Sequence, residues 1–259
     1  MKDNLSLERM WPLLELAGNP HQKLRVIHVA GTSGKTSTCY YLSSLFHTSG
    51  KKVGMSVSPH ILTVNERVQI NTIPLDDAQF CHYLEKCDNL LGEYAKSQSY
   101  FEYMIMFALW VFVQEKVDYV VLETGLGGLL DSTNVVTRSD KVCVLADIGY
   151  DHQHILGNSI EEIAAQKAGI IHEGNHVLSY EQSKPIMTVI KNQMVLKNAT
   201  FQSVTQKNGV KYEGLPEFQN RNYTLARAAA EYVSKRDGFK IKHINPSQVI
   251  IPGRMQTIE

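Results

Sequence analysis

"RVIHVAGTSGKTSTCYYLSSLF", residues 25–46, sets a run of β-branched residues against two glycines, a lysine and several hydroxyl side chains. A buried strand, a glycine turn and a helix in that order make a cradle for phosphate. Backbone N–H groups at a helix N-terminus carry partial positive charge, and glycine lets the chain wrap an oxyanion closely. Lys35 stands where a lysine reaches the outer phosphates, and Thr36 or Ser37 where a hydroxyl reaches a magnesium ion. The spacing is short. The usual phosphate loop reads G-x-x-x-x-G-K-[ST], whereas only Thr32 and Ser33 separate Gly31 from Gly34. On spacing alone the stretch is either a phosphate loop of a shorter kind or a plain strand-to-helix turn bearing a surface lysine.

The pattern outside the stretch sets the fold class. Apolar, β-branched runs recur at 24–30, 52–57, 117–123, 141–147 and 175–180, several without polar alternation, as strands covered on both faces require. Helical stretches lie between them at 36–48, 75–94, 101–115, 159–168 and 184–196. This alternation predicts an α/β fold with a doubly wound, mostly parallel sheet. Gly50 suits a helix C-cap, and Ser159 with Glu162 fits a capping box. Near 200–215 the pattern shifts to short strand-like pieces, and 223–235 reads as a further helix.

Bulk properties exclude several classes. Lys+Arg and Asp+Glu both number 26, which argues against a dedicated nucleic-acid or anionic-membrane surface. The opening MKDNLSLERM lacks the apolar core of a signal peptide, and the longest apolar run, 103–113, is too short to span a bilayer. Cys39, Cys81, Cys87 and Cys143 form no C-x-x-C pair, so buried thiols in a reducing cytoplasm are expected. A monomer is the expected state.

Three further features carry chemistry. Glu123 ends the apolar strand of VDYVVLETGLGG, where nucleotide-hydrolysing α/β folds place a carboxylate behind magnesium. Alone it reads equally as a helix cap or surface acid. His152 and His154 follow the strand KVCVLAD and so sit near the crevice at the carboxyl ends of the strands, as metal ligands or as solvated loop histidines. Lys167 lies on the next helix among Ala164, Ala165, Ala168 and Gly169, either confined by these small neighbours or exposed.

The ordered set VAGTSGKTS, SPHILTVNERVQI, YFEYMIMFAL, ETGLGGLLDSTNVV, IGYDHQHILGNSIEEIAAQKAGI, FQNRN and PGR resembles the folylpolyglutamate synthase/dihydrofolate synthase branch of the Mur ligase superfamily. It runs from about residue 9 to 254, and GLGGxLDxTN together with DHxxxLGxxxxEIAxxKAGI is its most specific part. The resemblance implies the short G-T-x-G-K loop and a Mur-type ATP-binding domain over 1–259, without the C-terminal ligase domain of that branch. It implies ATP-dependent ligation of L-glutamate to a folate or dihydropteroate through an acyl phosphate. Gly31, Thr32, Ser33, Gly34, Lys35, Thr36 and Ser37 would cradle the ATP phosphates, with Asn222 and Arg254 at nucleotide-binding positions. Ser58, Glu123 and His152 would hold magnesium. Lys167 matches a lysine that is carbamylated in these ligases, which would support a second metal ion. Lys35, His152 and Lys167 are the implied catalytic residues. The loops 58–67 and 126–134 would border the pterin side, with 100–102 nearby. Two departures stand out: Leu130 replaces an arginine and Ser132 an alanine of GLGGRLDATN, and the loop reads G-K-T-S rather than G-K-G-S. Another Mur-type amino-acid ligase and a non-catalytic ATP-binding module are the rival expectations.

Overall fold

A computed structural model describes residues 6–205, 212 and 214–254. The first half of MKDNLSLERM and much of the region between 205 and 215 lie outside the described residues.

Eight strands form one sheet: β1 (Val26–Ala30), β2 (Val53–Ser56), β3 (Gln69–Ile70), β4 (Ile73–Pro74), β5 (Tyr119–Glu123), β6 (Val142–Leu145), β7 (His176–Tyr180) and β8 (Thr200–Val204). Their order is β4-β3-β2-β5-β1-β6-β7-β8. The six strands from β2 to β8 run parallel, and β3 and β4 add an antiparallel hairpin at one edge. Asn71 and Thr72 turn that hairpin with positive φ, as a two-residue primed turn requires. The strand-like piece near 200 is therefore the far edge of the main sheet. Because β2 and β5 lie on one side of β1 and β6 on the other, the loops leaving β1, β5 and β6 meet at a topological switch point.

The helices are α1 (Met10–Leu16), α2 (Lys35–Thr48), α3 (Asp77–Leu91), α4 (Tyr100–Gln114), α5 (Gln153–Leu156), α6 (Ile160–Ala168), α7 (Lys184–Leu196) and α8 (Glu217–Asp237). Strand residues alternate between two covered faces. Ile27 and Val29 pack with Tyr41, Leu45 and Phe46 of α2 and Ala226, Ala230 and Val233 of α8. Val26 faces the opposite way onto α1 and α4, while Ala30, Cys143 and Val177 face α6 and α7. This double covering explains why β1, β2, β5 and β6 show no polar alternation: every residue in them is buried.

Local chemistry sets the helix ends. After α2, Gly50 N–H donates to His47 O at 2.9 Å and Lys51 N–H to Phe46 O at 3.1 Å, a Schellman pair with Gly50 at φ 85°. The Ser159–Glu162 capping box opens α6, and Ser99–Glu102 opens α4 in the same way. Helix α8 starts six residues before the expected 223, behind Pro216, because its first turns are polar yet buried at Gln219 and Asn222. No helix among the described residues is long and apolar enough to cross a membrane.

Candidate active site

The loop from β1 to α2 is held from β6. Thr32 N and Ser33 N both donate to Asp147 O, at 2.7 and 3.2 Å. The Thr32 hydroxyl donates to Gly149 O at 3.0 Å and accepts from Gly149 N at 3.1 Å. Asp147 also carries a two-point ion pair from Arg221 of α8, whose guanidinium lies 4.2 Å from the Tyr180 ring centre. Gly34 begins α2 in the left-handed region, at φ 85°, against the Asn222 side chain.

These contacts leave the N-terminus of α2 open on one side. A cavity of about 280 Å³ there is lined by Thr32, Ser33, Gly34, Lys35, Thr36, Ser37, Glu123, Phe218, Asn222 and Arg254. Nine of these ten are site residues expected from sequence. Phe218 is the addition: it sits one turn before Asn222 on α8 and is 54% exposed. It lies inside FQNRN, where an aromatic residue at the head of a polar motif is the signal the sequence offers.

Glu123 is the buried acid of the site, 2% exposed. The Thr36 hydroxyl donates to its Oε1 at 2.8 Å, and Ser58 N–H to its Oε2 at 3.2 Å. Burial pushes its carboxyl up to about 7, opposed by Lys35, the Thr36 and Ser58 hydrogen bonds, and Arg254. Of the two candidate hydroxyls, it is that of Thr36 that meets this acid.

Two lysines converge on one carbonyl. Lys35 Nζ lies 3.1 Å from Gly31 O, and Lys167 Nζ lies 3.0 Å from the same atom. Lys167 is buried, and burial, then the Lys35 charge, lowers its amine to about 8, with Asp151 and Asp131 pulling the other way. The confined alternative for Lys167 is therefore the one realised. His152 stands apart from this cavity. It precedes α5 at φ 44°, its side chain is half exposed, and its Nε2 lies 3.5 Å from Asp151 Oδ1. The ring centre of His154 is 6.2 Å from that of His152. Among the described residues no group of three His, Cys, Asp or Glu is arranged to hold a metal.

The loops expected beside the crevice also meet. Arg67 lies over the Tyr100 ring at 5.2 Å, and the Phe101 ring packs against Gly125. Glu66 accepts from the N–H groups of Ile61, Leu62 and Thr63 at 2.7–2.9 Å, which shapes the 58–67 turn. Asp131 accepts from Leu126 N at 2.7 Å and Thr133 N at 3.0 Å, which fixes the loop after β5. Leu129 and Leu130 are left about 40% exposed on that loop.

Comparison with known proteins agrees with this fold. The Bacillus subtilis dihydrofolate synthase/folylpolyglutamate synthase is 41% identical over 206 residues, covering 76% of this chain and 47% of that protein. The chain spans about half or less of the length of the curated relatives it matches. A mutant of L. casei FPGS superposes with a TM-score of 0.88 at 27% identity, over 98% of this chain and 70% of that one. An FPGS solved as an AMPPCP–folate complex gives a TM-score of 0.85 at 28% identity, over 95% and 66%. The match to the family profile for the Mur ligase middle domain extends over residues 29–251, from inside β1 to the segment beyond α8. The short glycine loop, the buried acid and all of the sheet but the first three residues of β1 fall within that span, and the chain belongs to the Mur ligase family through its middle domain.

Proposed function

We propose that this chain is the ATP-binding part of a ligase that joins L-glutamate to the carboxylate of a folate or dihydropteroate. The observation that carries the reading is the buried Glu123 carboxylate held by the Thr36 hydroxyl at the mouth of the short glycine loop. The family relatives, with their folate names and AMPPCP and folate complexes, supply the substrate class.

A carboxylate is a poor acyl donor until one of its oxygens becomes a phosphate. In the proposed reaction a substrate carboxylate oxygen attacks the γ-phosphorus and the bond to the β,γ-bridging oxygen breaks, releasing ADP. The glutamate nitrogen then attacks the acyl carbon, the carbon–oxygen bond to phosphate breaks, and phosphate leaves as the amine loses its proton. The chain's part is positioning and charge neutralisation. Backbone N–H groups at the start of α2 cradle phosphate oxygens, and Lys35 turns from Gly31 O toward them. Asn222, Arg254 and Phe218 border the nucleotide.

The oxygen donors of Thr36, Ser58 and Glu123 suit a hard divalent cation, and Mg²⁺ bound there would offset the charge on the transferred phosphoryl group. Lys167 fits carbamylation: an amine lowered to about 8 keeps a neutral fraction near pH 7. That neutral nitrogen adds to the carbon of CO₂ and sheds a proton, leaving an anion beside Lys35 able to support a second cation. In the same reading His152 is a further metal ligand, carried on the loop of Asp151, whose charge acts on the Lys167 amine. The four cysteines are free, with Cys39, Cys87 and Cys143 buried as expected and Cys81 exposed, which supports a reducing, cytoplasmic setting. The reading adds a monomer acting on small molecules.

The test is glutamate-dependent ADP release by the longest natural polypeptide containing this chain. Dihydropteroate, tetrahydrofolate and a muramoyl dipeptide are compared as acceptors. Release with either pterin supports the proposal. Release only with the muramoyl acceptor assigns another Mur-type ligase, and ATP binding without release assigns a non-catalytic module. Lys35→Ala removes ATP binding or turnover; retention of both refutes the role given to the glycine loop.

A further inference from the structure

The carbonyls that end a helix have no partners within it and must be met from elsewhere. At the end of α6, Ala165 O takes Gly169 N and Ala168 O takes Ile171 N, each at 3.0 Å. Lys167 O takes Ile170 N at 3.4 Å. Gln166 O and the two carbonyls just past the helix, of Gly169 and Ile170, are met from the chain that follows β5. Leu129 N donates to Gln166 O at 2.7 Å. Asn134 Nδ2 donates to Gly169 O at 3.1 Å and to Leu129 O at 3.0 Å. Lys141 Nζ donates to Ile170 O at 2.7 Å and to Val136 O at 2.6 Å.

Lys141 is 1% exposed, and its hydrogen bonds run to carbonyls. Burying an amine this way costs stability, and burial lowers it to about 8. A cation suits the carbonyl-rich end of a helix, and this one also ties that end to the loop after β5. Asn134 is fixed in turn: His172 Nε2 lies 2.9 Å from its Oδ1, leaving its amide to face the two carbonyls. Neither Lys141 nor Asn134 lines the phosphate cavity. What they share is the chain leaving α6 at Gly169 and Ile170, and α6 carries Lys167, whose amine sits on Gly31 O.

We propose that Lys141 and Asn134 are positioning residues for Lys167: by clamping the Gly169 and Ile170 carbonyls, directly after α6, to the loop after β5, they hold the Lys167 amine on Gly31 O. The contact itself stands on the geometry; its kinetic consequence rests on the ligase reading. Lys35 reaches the same carbonyl from α2, outside the clamp, and so serves as an internal reference.

The experiment is pulsed amine labelling with site-resolved mass spectrometry on Lys141→Met and Asn134→Ser. Lys167 labels about tenfold faster in each variant, while Lys35 and the exposed Lys191 stay within about twofold. In the longest natural polypeptide, kcat for ADP release falls about tenfold with the KM for ATP within about twofold of the starting protein. A folded variant whose Lys167 stays as protected as before overturns the proposal. Acceleration at all three lysines, or failure of both variants to fold, also overturns it, because the clamp is then a general stability element. If the unsubstituted protein releases no ADP, the ligase reading fails while labelling still decides this one.

Discussion

Gly34→Ala tests the join between the phosphate loop and α8. The perturbation is one methyl group, and its cost has two separable parts. Gly34 holds φ 85°, so alanine there adopts a left-handed conformation at about 1–2 kcal/mol. The added Cβ also lies 2.4 Å from Asn222 Oδ1 and 3.1 Å from Asn222 Cγ, where no ordinary contact fits. Relief requires the α8 side chain to move, an overpacking cost of about 1–3 kcal/mol. The expected loss is therefore about 2–5 kcal/mol, read as a lower urea midpoint at constant m-value. Asn222→Ala removes the second part only, so the double variant recovers about 1–3 kcal/mol relative to additivity while the left-handed strain remains. A Gly34→Ala protein within about 0.5 kcal/mol of the starting chain refutes the strain argument. Strict additivity refutes the packing of Asn222 on the loop, and with it the cavity wall drawn from α8.

Two other outcomes follow from Glu123 and its partners. Thr36→Val removes a hydroxyl bond to a buried carboxylate, so it costs about 1.5–3 kcal/mol in urea unfolding and weakens the magnesium dependence of nucleotide binding. Ser37→Ala, lacking that acid contact, costs less; the reverse ranking in magnesium titrations reassigns the metal-facing hydroxyl. Glu123, raised from 4.5 to about 7, keeps a proton in the folded state that the unfolded chain has lost between those values. Stability in metal-free buffer thus falls as pH rises through that window, by an amount on the order of 3 kcal/mol, fully felt above pH 7. Glu123→Gln flattens that slope, and parallel stability–pH curves for the two proteins refute the assignment.

How much of this site a linear reading reaches depends on whether a residue's signal is local. Strand β1, the glycine turn and the start of α2 are contiguous, so the strand–turn–helix is legible from 25–46, although its spacing alone leaves a plain turn as a second reading. Glu123 is legible because it ends an apolar run, although its burial is not. The capping boxes are legible because both partners lie three residues apart. The start of α8 is hidden for a physical reason. Gln219 is buried against the Tyr41 hydroxyl at 3.3 Å, and Asn222 faces the loop, so polar side chains occupy the inward stripe where a helix ordinarily shows apolar ones. Lys141 is hidden more deeply, since a lysine at the start of a strand reads as a surface residue. Only the meeting of β6, the loop after β5 and the end of α6 makes it a buried clamp. Glu123, Lys141, Lys167, Gln219 and Asn222 thus share one property: each is a polar or charged residue whose type conflicts with its burial. The type is written in the sequence, but the burial is produced by strand order and helix packing across distant segments. A buried polar group persists at a cost to stability, so such residues mark where the fold holds chemistry rather than core.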